Sequence, residues 1–300
     1  MSKKVLLATE KPFSASARDQ VAGILKDAGY EVALLESYAD KAALLEAVSD
    51  VDALIIRSDQ VDAEVLEAAK ALKLVVRAGA GYDNIDCAKA KERGVLAMNT
   101  PGQNANAVAE LVISLMVHMA RNKWNGKPGT ELRGKTLGIH ALGAVGRAVT
   151  TIAQGFGMQV IAFDPFVDAS KMKALGVEPI SSVETLYQRS QYVSLHMPKT
   201  KETVKSVGRS LLGLLPKGGT VVNTARSEVI HEQELLEMMA ERSDLRYITD
   251  IQPSPEIHQA LTERFADRYF ATPKKLGAQT LEANVNAGLA AARQIVAFFE

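Results

Sequence analysis

The run TLGIHALGAVG sets Gly143, Ala144, Val145 and Gly146 between a strand-like segment and a helix-like one, RAVTTIAQGFG. A second strand-like run, QVIAFDPF, follows and carries Asp164. A dinucleotide site requires this order: strand, glycine turn, helix, strand, and an acid about 20 residues past the turn. The glycines let the backbone approach a pyrophosphate, and the helix N-terminus attracts its charge. An acid at position 164 would accept hydrogen bonds from the ribose hydroxyls and repel a 2′-phosphate, favouring NAD over NADP. The pattern departs at one place, because Ala141 stands where the first glycine of G-x-G-x-x-G belongs.

Further polar groups fall just after apolar runs. TVVNTARSEVI carries Thr224, Ala225 and Arg226 behind the run Thr220 to Asn223, YITDIQPSP carries Asp250, and YVSLHMP carries His196 and Pro198. Ligands of doubly wound sheets bind beyond the carboxyl ends of the strands, so these groups are expected on one rim. Each taken alone also reads as a solvated loop charge or a helix cap. In ATPKKLGAQT the pair Lys274-Lys275 follows an apolar run, Tyr269 to Ala271, and either solubilises a loop or supplies a working amine. Nearer the N-terminus, Arg57-Ser58 and Arg77 end two other apolar runs. Two arginines in a pocket suggest an anion beyond a carboxylate, such as a phosphate. The competing reading is surface ion pairs with Asp59 or Asp83.

These positions depend on the elements around them. Short β-branched runs, VLLA, VALL, ALIIR and LVVRAG, alternate with helix-length stretches, one of which ends at Gly29. Such alternation implies βαβ units and a parallel sheet, and near-continuous apolar runs fit strands buried on both faces. After NTPG, residues Val108, Leu111, Val112, Leu115, Met116 and Met119 recur at helical spacing. A looser glycine-rich stretch, NKWNGKPGTELRGK, precedes the second βα series. The boundary is placed near residue 101. The final helix, Ala278 to Phe299, has no strand after it and must pack on something already built, for which the first domain is the candidate.

Composition removes several classes of function. Lysine plus arginine equals aspartate plus glutamate, 35 against 35, so no bulk field points to nucleic acid or an anionic membrane. The single cysteine, Cys87, excludes an internal disulfide and reads as a small core or helix residue. The most apolar helical segment, LVISLMVHMA, falls short of the roughly 20 residues a membrane span needs, and no signal-peptide core is seen. A cytoplasmic protein is expected. The five histidines show no spacing with carboxylates that would hold a metal.

The ordered series RAGAGYDNID, NTPGQNANAVAE, the glycine turn, FDPF, SLHMP, NTAR and ATPKKLGAQT resembles the D-isomer-specific 2-hydroxyacid dehydrogenases over nearly the whole chain. Within that family it is most similar to the short D-3-phosphoglycerate dehydrogenases, which lack a C-terminal regulatory domain; insensitivity to serine acting through such a domain follows. The resemblance implies two Rossmann/flavodoxin-like parallel-sheet lobes with the active-site cleft between them. Residues 1–101 plus 278–300 would bind substrate and 102–277 would bind NAD. It implies that Arg226 clamps the carboxylate and keto oxygen of a 2-oxo acid, and that the loop Ala78-Gly79-Ala80-Gly81 binds the carboxylate through backbone N–H groups. Asn104 and Val108 would lie near the nicotinamide, and the helix near 102–123 would form a homodimer contact.

Two family positions differ. Lys274 stands where most members carry an acid/base histidine, and Pro255, with Glu256 one residue beyond, stands where they carry its glutamate partner. A histidine needs a carboxylate to raise its pKa and fix its tautomer, whereas a lysine has no tautomers. Lys274 is therefore expected to be the acid/base; oxidation needs its neutral form, which is easier to reach if burial and nearby Arg226 lower its pKa. The expected reaction is NAD-dependent oxidation of 3-phospho-D-glycerate, the partner being a small phosphorylated 2-hydroxy acid. The alternatives are a hydroxypyruvate or glyoxylate reductase of the same fold and a non-catalytic NAD-sensing protein.

Overall fold

The computed structural model describes residues 2–300, which divide into two compact units, residues 2–104 with Gln279–Glu300 and Ala105–Ala278. In the first unit the chain runs β1 (Lys4–Thr9), α1 (Ala15–Asp27), β2 (Glu31–Glu36), α2 (Lys41–Ala47), β3 (Ala53–Ile56) and α3 (Ala63–Ala68). It continues through β4 (Leu74–Arg77), α4 (Cys87–Glu92) and β5 (Leu96–Asn99). The five-stranded sheet is parallel throughout, in the order β2-β1-β3-β4-β5. This is the flavodoxin-like winding. Ala53–Ile56 is fully buried, as its unbroken apolar run requires of a central strand. Strand β5 has no counterpart in the apolar runs read from the sequence. It pairs on one side only and leaves Leu96 exposed, so it lacks the run of buried residues that marks the centre of the sheet.

The closing helix of this unit, α12 (Leu281–Phe299), starts three residues later than the sequence suggests, because the Thr280 side chain accepts from Ala283 N–H and caps it there. It lies against α1 so closely that a Cβ on Gly288 would meet Val21 Cγ2 at 2.9 Å and Phe13 Cε1 at 3.2 Å. Ala287, Ala291, Ala292 and Ile295 join Val5, Leu7, Val21 and Leu25 in one core. Cys87 opens α4 and is exposed.

The second unit begins with α5 (Ala105–Ala120) and alternates β6 (Thr136–His140), α6 (Ala144–Gly155), β7 (Gln159–Phe163), α7 (Ala169–Ala174), β8 (Glu178–Pro179) and α8 (Val183–Arg189). It goes on through β9 (Tyr192–Leu195), α9 (Arg209–Leu212), β10 (Thr220–Asn223), α10 (Glu232–Glu241), β11 (Arg246–Thr249), α11 (Pro255–Arg264) and β12 (Tyr269–Ala271). The seven strands, all parallel, lie in the order β12-β11-β10-β9-β6-β7-β8. That is Rossmann winding with one strand added, and its direction reverses between β6 and β9. Apolar cores cover both faces.

Met116 and Met119 of α5 are buried at 0% and 1% exposure within this unit. The two methionines are thus covered by the core on the helix's own sheet. The face left to solvent is polar: Asn106 donates to Glu110 and the Ser114 hydroxyl donates to the Glu110 carbonyl. Among the described residues no helix is long and apolar enough to cross a membrane, and no cluster of three His, Cys, Asp or Glu side chains could hold a metal ion.

Candidate active site

The reversal of winding between β6 and β9 opens a crevice at the carboxyl ends of both strands, where doubly wound sheets take their ligands. At the end of β6, Ala141 holds φ +78°, the left-handed region that the missing glycine of the motif would occupy without strain. Its helix, α6, starts from Gly143 with no side-chain cap, and a Cβ on Gly143 would meet nothing within 4 Å. The N-terminus therefore stays open to an anion. Gly146 is needed for a different reason, since a Cβ there would press to 2.5 Å on the Ala141 carbonyl oxygen and to 3.0 Å on Ile139. Asp164 follows β7 and binds the turn from the other side, accepting from Leu142 N–H at 2.7 Å and Phe166 N–H at 2.8 Å, one bond to each oxygen. Each oxygen keeps lone-pair capacity for a diol. These residues fit a dinucleotide: an uncapped helix start for the pyrophosphate and a carboxylate for the ribose.

The strain at Ala141 gives a direct test. A left-handed φ costs an L-residue about 1–2 kcal/mol. Ala141→Gly is expected to raise unfolding free energy by roughly 0.5–1 kcal/mol after glycine's larger unfolded-state entropy is counted. A higher urea midpoint at unchanged slope would show it; a lower midpoint would show that the turn is not strained.

Two histidines sit at the reversal. The His196 backbone N–H donates to the His140 carbonyl at 2.9 Å, and His140 Nδ1 lies 3.4 Å from the Tyr187 hydroxyl. The Nε2 atom of His196 is sealed from solvent without a partner. Burial pushes His196 down to about 3, with repulsion from His140 adding to it. Burial also pushes His140 down to about 4, partly offset by the Asp164 carboxylate. Both imidazoles are neutral in the folded chain near neutral pH. Below about pH 6.5 the unfolded chain binds more protons than the folded one, so stability falls as pH drops from there toward 4. The expected loss is ~1.4 kcal/mol per pH unit for each histidine, read as a falling urea midpoint between pH 7 and pH 5. His196→Gln should flatten that slope, and an unchanged slope would place the titrating groups elsewhere.

Arg226 leaves the end of β10 on a short turn that Asn223 holds shut. Asn223 Nδ2 donates to the Arg226 carbonyl at 2.9 Å while its Oδ1 accepts from Ala225 N–H at 3.0 Å. The guanidinium is half-buried and donates through Nη1 to the Ala225 carbonyl at 2.9 Å. Beside it, the buried Thr224 Oγ1 has no protein partner. Pro198 is exposed, its carbonyl accepting from Thr203 Oγ1 at 2.6 Å.

Asp250 ends β11 almost wholly buried, at 1% exposure, and its carboxylate accepts from Thr272 Oγ1, Leu276 N–H and Gly277 N–H at 2.7–2.8 Å. Thr272 Oγ1 also lies 2.8 Å from the Lys274 carbonyl. Gly277 is packed so that a Cβ would touch Asp250 Oδ2 at 3.0 Å and Val108 Cγ2 at 3.3 Å. Asp250, one of the polar groups expected on the ligand-binding rim, ties the Lys274 loop to the sheet through these three bonds. Because the loop is gripped through Thr272, Leu276 and Gly277, the side chains between them face outward. Lys274 is exposed. Glu256 lies exposed in the first turn of α11 and makes no hydrogen bond to Lys274. Asp250→Ala removes three charge-assisted bonds and leaves buried donors, so a loss on the order of 3 kcal/mol in urea unfolding is expected. Retention of wild-type stability would show the loop is held otherwise.

In the first unit, Arg57 is turned to protein acceptors. Its Nη1 donates at 2.8 Å to both the Lys11 and Pro12 carbonyls, its Nη2 donates to Asn284 Oδ1, and its guanidinium lies 5.1 Å over the Phe13 ring. Burial lowers its pKa, with Asp59 opposing. The ion pair weighed for Arg57 takes another form: Asp59, 2% exposed, accepts from Arg57 N–H, Glu10 N–H and the Tyr38 hydroxyl. Arg77 donates through Nε to the Arg57 carbonyl at 2.9 Å and folds over Gly79, where a Cβ would strike its guanidinium. Ser58, Ala80 and Gly81 remain at least partly open to solvent, while Ala78 and Gly79 are buried; Asn104 is half-buried ahead of α5.

Asn223, Thr272 and Gly277 were not singled out by sequence reasoning. The signal for the first was present, since an Asn closing a buried strand before a turn is suited to bonding the backbone two and three residues on. Thr272 and Gly277 gain their roles from Asp250, more than twenty residues away, which no local pattern records.

The sequence profile described as "D-isomer specific 2-hydroxyacid dehydrogenase, NAD binding domain" matches residues 106–273. The chain is 36% identical over 246 residues to D-3-phosphoglycerate dehydrogenase of Methanocaldococcus jannaschii, covering 77% of this chain but only 46% of that protein. It is 38% identical over 242 residues to hydroxypyruvate reductase of Thermotoga maritima, covering 75% of this chain and 77% of that one. A crystal structure of NAD+-bound 3-phosphoglycerate dehydrogenase from Entamoeba histolytica shares 44% identity and a TM-score of 0.90, over 100% of this chain and 96% of that chain. The winding, the glycine turn at its reversal and these likenesses agree, and the chain belongs to the D-isomer-specific 2-hydroxyacid dehydrogenases.

Proposed function

We propose that this chain is an NAD-dependent dehydrogenase that oxidises 3-phospho-D-glycerate to 3-phosphohydroxypyruvate, the opening step of phosphorylated serine synthesis. The observation that carries the reading is the 44% identity across the whole chain to a 3-phosphoglycerate dehydrogenase whose structure holds NAD+. NAD supplies the hydride acceptor. The protein's part is to hold the dinucleotide at Gly143–Gly146 and Asp164, and to present polar groups to the acid. Arg226 offers a planar fork suited to a 2-oxo or 2-hydroxy acid, gripping the carboxylate and polarising the oxygen at C2. Lys274, in its neutral form, takes the hydroxyl proton during oxidation and in its cationic form returns it during reduction. The neutral His140 and His196 add no cationic charge at the reversal. The Ala78 and Gly79 N–H groups already donate to the Ile56 and Arg77 carbonyls, so the backbone N–H groups of Ala80 and Gly81 are assigned to the substrate carboxylate and Arg77 to its phosphate.

A second reading has its own support. The Arg57 guanidinium already serves the Lys11 and Pro12 carbonyls and Asn284, which leaves fewer of its N–H donors for a phosphate than a free arginine would offer. An unphosphorylated acid would suit that arrangement, and a hydroxypyruvate reductase is among the relatives at 38% identity. Following NADH with 3-phosphoglycerate, glycerate and lactate for oxidation, and with hydroxypyruvate and glyoxylate for reduction, separates the two. The first reading expects kcat/KM for 3-phosphoglycerate at least tenfold above glycerate. No preference for the phosphorylated acid would discard it in favour of the second, and no turnover of any 2-hydroxy or 2-oxo acid would discard both.

A further inference from the structure

The second unit holds a cavity of about 410 Å3 on the edge of its sheet away from Arg226 and Lys274. Gly218 precedes β10, Arg246 opens β11 and Arg268 precedes β12, so the cavity floor is the amino end of three neighbouring strands. Arg226 and Lys274 follow the opposite ends of β10 and β12. A strand of three or four residues puts roughly 10–13 Å of sheet between the two rims. The turn that follows α5, part of the loose stretch NKWNGKPG, forms one wall.

The lining is cationic in a chain whose formal net charge is zero. Lys123, Lys127, Lys217, Arg246 and Arg268 face Asp244 and Asp267, five charges against two. Asp244 is already engaged, 2.6 Å from Arg242 and accepting from Gly218 N–H at 2.7 Å. Asp267 approaches only to 3.8 Å of Arg268 and is 80% exposed. Arg268 donates to the carbonyls of Met239, Arg242 and Leu245, which fixes its charge in place without neutralising it. The amines of Lys127 and Lys217 have no ion pair or hydrogen bond among the described residues. Like charges so placed repel one another, and a bound anion would relieve that repulsion.

A second observation comes from the backbone. Asn122, Lys123 and Trp124 hold φ of 49°, 55° and 54°, three consecutive non-glycine residues in the left-handed region. Such residues persist only where their surroundings fix them, and they gather at ligand clamps and switches. Here the fixing group is Lys123, whose amine donates to the Ala266 carbonyl and to the Tyr269 carbonyl at 3.1 Å. The strained turn is thereby anchored beside β12, with Lys127 on the cavity rim.

We propose that this cavity binds a small polyanion bearing phosphoryl or carboxylate groups, at a site separate from the dinucleotide and hydroxy-acid chemistry. The volume suits a molecule the size of a diphosphate, a tricarboxylate or a sugar phosphate. Arg246 offers a planar fork, and Lys127 and Lys217 offer mobile point charges that close on the ligand from either side.

The probes are inorganic pyrophosphate and citrate, added at constant ionic strength to the full chain with saturating NADH, so that the nucleotide site is filled. Thermal unfolding should rise by about 2–5 °C and saturate in the low millimolar range or below. Lys127→Ala/Lys217→Ala should weaken the apparent affinity at least tenfold. Ser243→Glu, which adds a negative charge to the same lining, should do so too, and carries the test if the double variant folds poorly. The proposal fails if wild type shows no saturable shift, if NADH abolishes it, or if sulfate at equal ionic strength reproduces it. It fails equally if both variants respond as wild type does. Pyrophosphate acting alone would assign the site to phosphoryl compounds, and citrate alone to polycarboxylates.

Discussion

Arg226→Ala is expected to lower kcat/KM by on the order of 10^3-fold, while NADH affinity changes no more than about threefold. A charged fork that grips the carboxylate and the oxygen at C2 acts most strongly where negative charge develops, and removing one such donor alone costs about 10^2–10^3 in rate. A thousandfold loss corresponds to ~4 kcal/mol of transition-state stabilisation. Arg226→Lys should recover less than a tenfold part of it, because an ammonium cannot make two parallel bonds to one carboxylate. The substitution leaves the Asn223 bonds to the turn in place, so a change in fold is not the expected cause. Steady-state kinetics with NADH fluorescence titration checks this. Activity of Arg226→Ala within tenfold of wild type would remove Arg226 from the reaction.

Lys274→Ala is expected to reduce turnover by about 10^2–10^4-fold, the usual worth of a positioned acid/base. Lys275→Ala, its neighbour in sequence, should stay within about threefold of wild type. The comparison is sharp because both lysines are exposed and adjacent in sequence, so a bulk electrostatic effect would touch them alike. Lys274→Arg keeps the charge but cannot give up a proton near neutral pH, and should be nearly as impaired as the alanine variant in oxidation. Exposure also admits help from solution. Small primary amines such as methylamine should partly restore Lys274→Ala, and no amine should restore Arg226→Ala. A Lys275→Ala variant that loses turnover while Lys274→Ala keeps it would reverse the assignment.

The sequence makes the strands of both sheets largely legible, because Ala53–Ile56 and Thr220–Asn223 are unbroken apolar or β-branched runs that a central parallel strand requires. Strand β5 escapes for the complementary reason, since an edge strand with one covered face carries no such run. The glycine turn is legible in its spacing and its acid. The conformation of Ala141 is not, since a left-handed alanine is selected by the turn against the residue's own preference. Lys274 is singled out in the sequence by its position alone, and its exposure follows from Asp250, Thr272 and Gly277 acting together from different strands and loops. The methionines of α5 show the same limit, because helical spacing fixes a face and leaves open what covers it.

The close seat of Gly288 against Val21 and Phe13 has a consequence for how the chain is made. Helix α12 completes a unit whose other elements end at Asn104, so the whole of the second unit is synthesised in between. At about 5–20 residues per second, that interval is roughly 10–35 s on the ribosome. Throughout it, the surface of Val5, Leu7, Val21 and Leu25 that α12 will cover stays bare, while the second unit can already close. The earliest-made unit is therefore the last to mature. Its nascent form carries bare apolar surface for that interval, the condition under which aggregation competes with folding.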